Sequence, residues 1–163
     1  MKGFTPGLFD RLLGVPIGRV SGAMGARITI EDLKDAVARD LEALLNTRLA
    51  IPDHALDAYP ECSDSILTYG LNDFSDRSLS SPNDRAYICR CLEKAITQHE
   101  PRLRNVRAAL EVREGKLNRL NFVITAMLVA SASHEPVHFD AVLHPSTLHY
   151  SISKAGRQPA EGA

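Results

Sequence analysis

The sequence predicts an α+β fold: two main helices packed on one face of a small antiparallel sheet of about four strands, with an extended N-terminal arm. Three observations lead there. Two segments repeat apolar residues at a period near 3.6, later stretches alternate apolar and polar residues with period 2, and glycine and proline break up the first 28 residues. The divisions that follow are an arm over 1–28, a single domain over 29–153 and a disordered tail over 154–163. At 163 residues and 44% hydrophobic, the chain is long enough to bury one core.

In the arm, Gly3, Gly7, Gly14, Gly18, Gly22 and Gly25 with Pro6 and Pro16 prevent a long helix. Leu8, Phe9, Leu12 and Leu13 nevertheless share the spacing of one or two amphipathic turns, which must dock either on the protein's own core or on a partner. Thr29 with Asp32 forms a variant capping box, and Leu33, Ala36, Val37, Leu41, Leu44 and Leu45 recur at helical spacing, predicting a first helix from Ile30 to Thr47. Leu49 to Ser81 reads as loop, with a short helical turn around Ser63 to Thr68; loops of that length are usually functional or braced. Ser81, Pro82 and Asp84 then open a second helix, with a stripe of Ile88, Cys91, Leu92, Ala95 and Ile96, that Pro101 closes.

Beyond Pro101 the period changes. Val106, Ala108, Leu110 and Val112 alternate with polar or small residues in a half-buried strand, and Glu114 to Asn118, containing Gly115, turns the chain into a hairpin. Leu120, Phe122, Ile124, Ala126 and Leu128 share one face of the second strand, whose other face, with Val123, Met127 and Val129, is apolar enough to invite cover. Val137, Phe139, Ala141 and Leu143 make a third strand, His144 to Thr147 a turn, and Leu148, Tyr150 and Ile152 a fourth.

A formal net charge of -1 lacks the basic footprint of a nucleic-acid or membrane-surface binder. The longest apolar stretch, Phe122 to Ala132, is far short of the roughly 20 residues a membrane span needs, and the N-terminus does not read as a cleaved signal, so a cytoplasmic protein is expected. Cys62, Cys89 and Cys91 are an odd set, read as reduced thiols. His138, Asp140 and His144 fall on one strand face, with His149 on the next strand, as metal ligands or simply as a polar surface. No nucleophile elbow or phosphate loop is present, and among 20 acidic residues no pair stands out for glycoside chemistry. No catalytic residue, metal or cofactor is therefore assigned.

The junction Glu100-Pro101-Arg102 differs in kind. Proline fixes the chain direction where an acid and a base flank it, and arginine can form planar bidentate contacts; solvated charges at a helix stop are the plainer alternative.

Several segments together, in order, resemble the TssE family. They are Leu8-Phe9-Asp10-Arg11-Leu12, the helix end from Arg39-Asp40-Leu41-Glu42 to Leu45-Asn46-Thr47-Arg48, Ser65-Ile66-Leu67 with Tyr69-Gly70-Leu71 and Asp73-Phe74, and Glu100-Pro101-Arg102-Leu103. The resemblance spans Leu8 to Ile152, and one departure is Thr68, where asparagine is expected. TssE proteins are baseplate subunits of the bacterial type VI secretion system, similar to the wedge proteins of contractile phage tails that carry a historical lysozyme-like label. The resemblance implies a non-enzymatic subunit in the cytoplasm, in a baseplate docked at the inner membrane complex. Its implied partners are TssF, TssG and TssK and the sheath subunits TssB and TssC, and it would prime sheath polymerisation by strand addition at an exposed sheet edge. It makes Glu100, Pro101 and Arg102 an assembly motif, with Leu8, Phe9 and Leu12 as anchors into the wedge, while Arg48, Tyr69 and Asp73 brace the loop. Charge reversal at Arg102 is expected to abolish assembly without unfolding. The alternatives are a peptidoglycan-cleaving lysozyme-like enzyme and an anti-adaptor-type binding protein of the same fold.

Overall fold

A computed structural model describes residues 29–51, 53–78, 81–111, 120–130, 133–144 and 147–154. The arm with Leu8, Phe9 and Leu12, the turn at 114–118 and the tail beyond Lys154 lie outside them.

Helix α1 spans Ile30–Asn46. Its capping box is closed: the Asp32 N–H donates to the Thr29 hydroxyl at 3.1 Å, and the Thr29 N–H to the Asp32 carboxylate at 3.0 Å. Burial of Leu33, Ala36, Val37, Leu41, Leu44 and Leu45 follows the helical period. Helix α2 spans Pro82–His99, capped by Ser81 and opened by a proline whose missing N–H costs nothing at that position.

Strands β1 (Leu103–Glu111), β2 (Leu120–Ala130), β3 (Ser133–His144) and β4 (His149–Lys154) form one antiparallel sheet in chain order. The core joins the α1 stripe and Ile88, Leu92, Ala95 and Ile96 of α2 to Leu103 and Val106 of β1, Phe122, Ile124, Ala126 and Leu128 of β2, Val137, Phe139 and Ala141 of β3, and Tyr150 of β4, while Cys91, expected in the α2 stripe, is only half-buried at its border. Val123, Met127 and Val129, on the other face of β2, are half-buried.

Strict alternation fails at the start of β1, where Leu103 and Val106 are both buried three residues apart. The pairing slips between Arg104, opposite Met127, and Arg107, opposite Thr125. Asn105 takes up the extra residue at φ 54, a conformation asparagine tolerates better than most residues, and the bulge returns Val106 to the core face.

Two strand expectations change. Leu148 belongs to the turn, at φ 53 and half-exposed, because its N–H closes onto the His144 carbonyl at 2.7 Å. Strand β4 also runs one residue past the predicted boundary, since Lys154 pairs with Phe139 and its ammonium reaches Asp35 at 2.7 Å and Glu31 at 3.3 Å on α1. In the long loop, three one-turn 3-10 helices stand at Asp53–Leu56, Pro60–Cys62 and Ile66–Thr68.

Candidate assembly surfaces

At the end of α2 the chain bends through Pro101, and the Arg102 guanidinium turns back onto Glu100. Its Nε donates to Glu100 Oε1 at 2.7 Å and one terminal nitrogen to Oε2 at 2.5 Å; that same nitrogen also bonds the Asp40 carboxylate of α1. Glu100 is only 4% exposed. Burial pulls the arginine pKa down, but the bonds to Glu100 and Asp40 outweigh it, so the guanidinium stays charged. The Glu100 carboxylate depends on this cation inside the protein, so charge reversal at Arg102 removes its partner and adds a third acid. Such a change is expected to destabilise the domain, contrary to the expectation from sequence.

Thr47, Arg48 and Leu49, just past α1, pair with Gly70 and Leu71 at the end of the loop. The Leu71 N–H donates to the Thr47 carbonyl and the Leu49 N–H to the Leu71 carbonyl, both at 2.9 Å. Gly70 sits at φ +124, where a Cβ would come within 2.6 Å of the Thr47 carbonyl oxygen. Arg48 meets Asp73 at 3.1 Å, although both side chains are largely exposed. The Ser75 backbone N–H, ahead of Arg48, holds the Asp73 carboxyl below its ordinary range. Tyr69 stacks edge-on against His99 of α2 at 5.3 Å, and burial raises its phenol pKa. Thr68 occupies the position of the expected asparagine with a hydroxyl that reaches the Ser63 carbonyl at 2.5 Å, the Ser65 carbonyl at 2.9 Å and His99 Nε2 at 3.2 Å.

Side chains of both helices reach the two sheet edges. Along β4, Asn46 accepts the Tyr150 N–H at 2.8 Å and donates to the Tyr150 carbonyl at 2.9 Å, while Glu42 accepts the Ile152 N–H at 2.9 Å. The match is geometric: four residues of helix advance about 6 Å and two residues of strand about 6.8 Å, so an antiparallel helix keeps step with the edge. The same stepping recurs at β1, where Glu93 of α2 accepts the Ala108 N–H at 2.8 Å and Cys89 bonds the Leu110 backbone. Burial pushes the Cys89 thiol pKa up, which disfavours a reactive thiolate.

Sequence reasoning missed Asp40, Glu42, Asn46 and Glu93 as partners of these features. The available signal was their position bordering the apolar stripes of two amphipathic helices, where a long polar side chain reaches past the helix to a neighbour. Among the described residues, no three His, Cys, Asp or Glu side chains converge as a metal site. His138 and Asp140 stay on the sheet face opposite the helices, and His144 bonds Ser151 at 3.1 Å.

A small α+β domain whose distinctive features are two helix-lined edges, a braced loop and an ion-paired junction is defined by its surfaces, as assembly proteins are. Residues 31–133 match the family described as baseplate wedge protein gp25, and the chain belongs to that family. Its role is structural, within a baseplate and in contact with other baseplate components. No curated protein matches the chain. Among the described residues, no helix is long and apolar enough to cross a membrane.

Proposed function

We propose that this protein is the TssE-type wedge subunit of a type VI secretion baseplate, joining the wedge to the contractile sheath and priming sheath polymerisation. TssF, TssG and TssK are its wedge partners and TssB and TssC the sheath subunits it engages, in a cytoplasmic baseplate docked at the inner membrane complex. Nothing in this role requires a catalytic group. Membership of the wedge family carries the reading, and the ordered sequence segments quoted above refine it to the secretion system. Leu8, Phe9 and Leu12 of the arm anchor the subunit in the wedge, the Glu100-Pro101-Arg102 junction presents the adjoining surface, and Arg48, Tyr69 and Asp73 hold the loop.

Strand addition is assigned to β1. The β4 edge is held through the N–H and the carbonyl of one residue, Tyr150, by Asn46 and again at Ile152 by Glu42, whereas the β1 edge meets one flexible carboxylate and one thiol. Freeing Glu93 returns it to water without opening the core. Ala108→Pro tests this sharply, because the Ala108 N–H points away from β2 and proline there blocks an incoming strand while sparing the β1–β2 ladder. A tagged copy purified from its native cells should recover TssF, TssG and TssK, and the proline variant should recover them too yet form no sheath. Sheath assembly by the folded variant would reject the β1 assignment, and peptidoglycan release or an adaptor in place of wedge subunits would favour the alternatives.

A further inference from the structure

Four large apolar side chains are prominently exposed among the described residues, and three of them, Tyr59 at 57%, Ile66 at 85% and Leu67 at 42%, fall within one stretch of the long loop. That stretch is held firmly. The Cys62 N–H closes on the Tyr59 carbonyl at 2.9 Å, the Ser65 N–H on Cys62 at 3.1 Å, and the Tyr69 N–H on Ile66 at 3.2 Å. Two residues of α2 tie it down further, with His99 Nε2 at 2.9 Å from the Thr68 carbonyl and the Gln98 amide donating to Ser63 at 3.3 Å. Ser65 caps the single turn that carries Ile66 and Leu67.

An isoleucine held outward on a tied-down turn gains nothing from its own fold, while its backbone is already ordered for binding. The loop's own charge is of one sign. Residues 49–76 contain Asp53, Asp57, Glu61, Asp64, Asp73 and Asp76 and no lysine or arginine, in a chain of net charge -1. Asp73 is paired with Arg48, but Asp57, Glu61 and Asp64 make no ion pair among the described residues. Such a rim repels a second copy of the same patch, an anionic lipid surface and nucleic acid.

We propose that Ile66 and Leu67 form an apolar knob that inserts into an apolar pocket bordered by lysine and arginine on a different subunit of the baseplate wedge. This rests on the wedge reading and adds a contact distinct from the sheet edge, the Glu100-Pro101-Arg102 junction and the arm. The exposed pair supplies the affinity, and Asp57, Glu61 and Asp64 supply orientation and a salt-dependent association rate.

The test uses the full-length tagged chain and the wedge subunits recovered with it from the same cells, with binding followed by interferometry at low and high salt. Ile66→Ser with Leu67→Ser should weaken binding tenfold or more while the thermal midpoint holds, because neither side chain is in the core. Asp57→Asn, Glu61→Gln and Asp64→Asn together should slow association several-fold at low salt and flatten its salt dependence. Wild-type binding equalled by both folded variants would overturn the knob and leave the wedge reading intact. Recovery of no wedge subunit by the wild type would overturn both. A wild-type dimer lost in the serine variant would assign the patch to self-association and overturn the proposal.

Discussion

The carboxamide of Asn46 bonds both the N–H and the carbonyl of Tyr150, at 2.8 and 2.9 Å, so that one side chain at the end of α1 occupies the edge of β4 as a neighbouring peptide would. Asn46→Ala leaves both groups without that partner in a partly buried site, at an expected cost of about 1–3 kcal/mol. Asn46→Asp keeps the acceptor and loses the donor, and should fall between. Urea denaturation ranks the three proteins, and light scattering should show the alanine variant self-associating through its opened edge.

The ion-paired junction gives a larger expectation. Arg102→Ala strands the buried Glu100 carboxylate and should cost about 3–5 kcal/mol. Replacing both partners, as in Glu100→Leu with Arg102→Met, should recover much of that loss, since no uncompensated charge remains. Equal unfolding midpoints for the single and double variants would count against the pair as the cause.

Gly70→Ala should destabilise by about 1–3 kcal/mol, because alanine at φ +124 is strained and its methyl meets the Thr47 carbonyl. The Thr47–Leu71 hydrogen bond fixes that approach, so the loop must shift to make room. A lower thermal midpoint, with faster exchange of the Leu71 amide, is the expected readout.

Stability should also fall in alkali. Burial pushes the Tyr150 phenol from 10.0 up to about 12, so the neutral form is favoured in the folded state. A raised folded pKa means that this contribution is fully present below pH 10.0 and is lost as the pH rises toward 12. The loss is about 2 to 3 kcal/mol across that window. Tyr150→Phe should therefore match the wild type at neutral pH and unfold less readily above pH 10.0; parallel alkaline limbs for the two proteins would remove the tyrosine as the cause.

Much of this architecture was legible from spacing. Leu33 to Leu45 and Ile88 to Ile96 marked the buried helix stripes, and Phe122, Ile124, Ala126 and Leu128 marked the core face of β2, because burial repeats with the local geometry of helix and strand. Thr29 and Ser81 marked both helix starts, since a cap satisfies donors only three residues away. The same local rule failed at Asn105, where a bulge breaks alternation, and at Leu148, whose apolar side chain suited a strand while its backbone closes a turn.

The candidate surfaces were less legible, because a polar side chain's partner depends on which elements become neighbours. Glu100 and Arg102 stood out by their proximity, yet Asp40, which completes their network, lies 62 residues from Arg102. Asn46 and Tyr150 lie 104 residues apart, and nothing in either local segment announces the other. Local spacing dictated the elements, their order and their buried faces, because those follow from hydrogen bonds and burial a few residues apart. The register of α1 along β4 and α2 along β1, and with it the state of both sheet edges, emerged from packing those faces together, because that step alone brings distant polar groups within bonding distance.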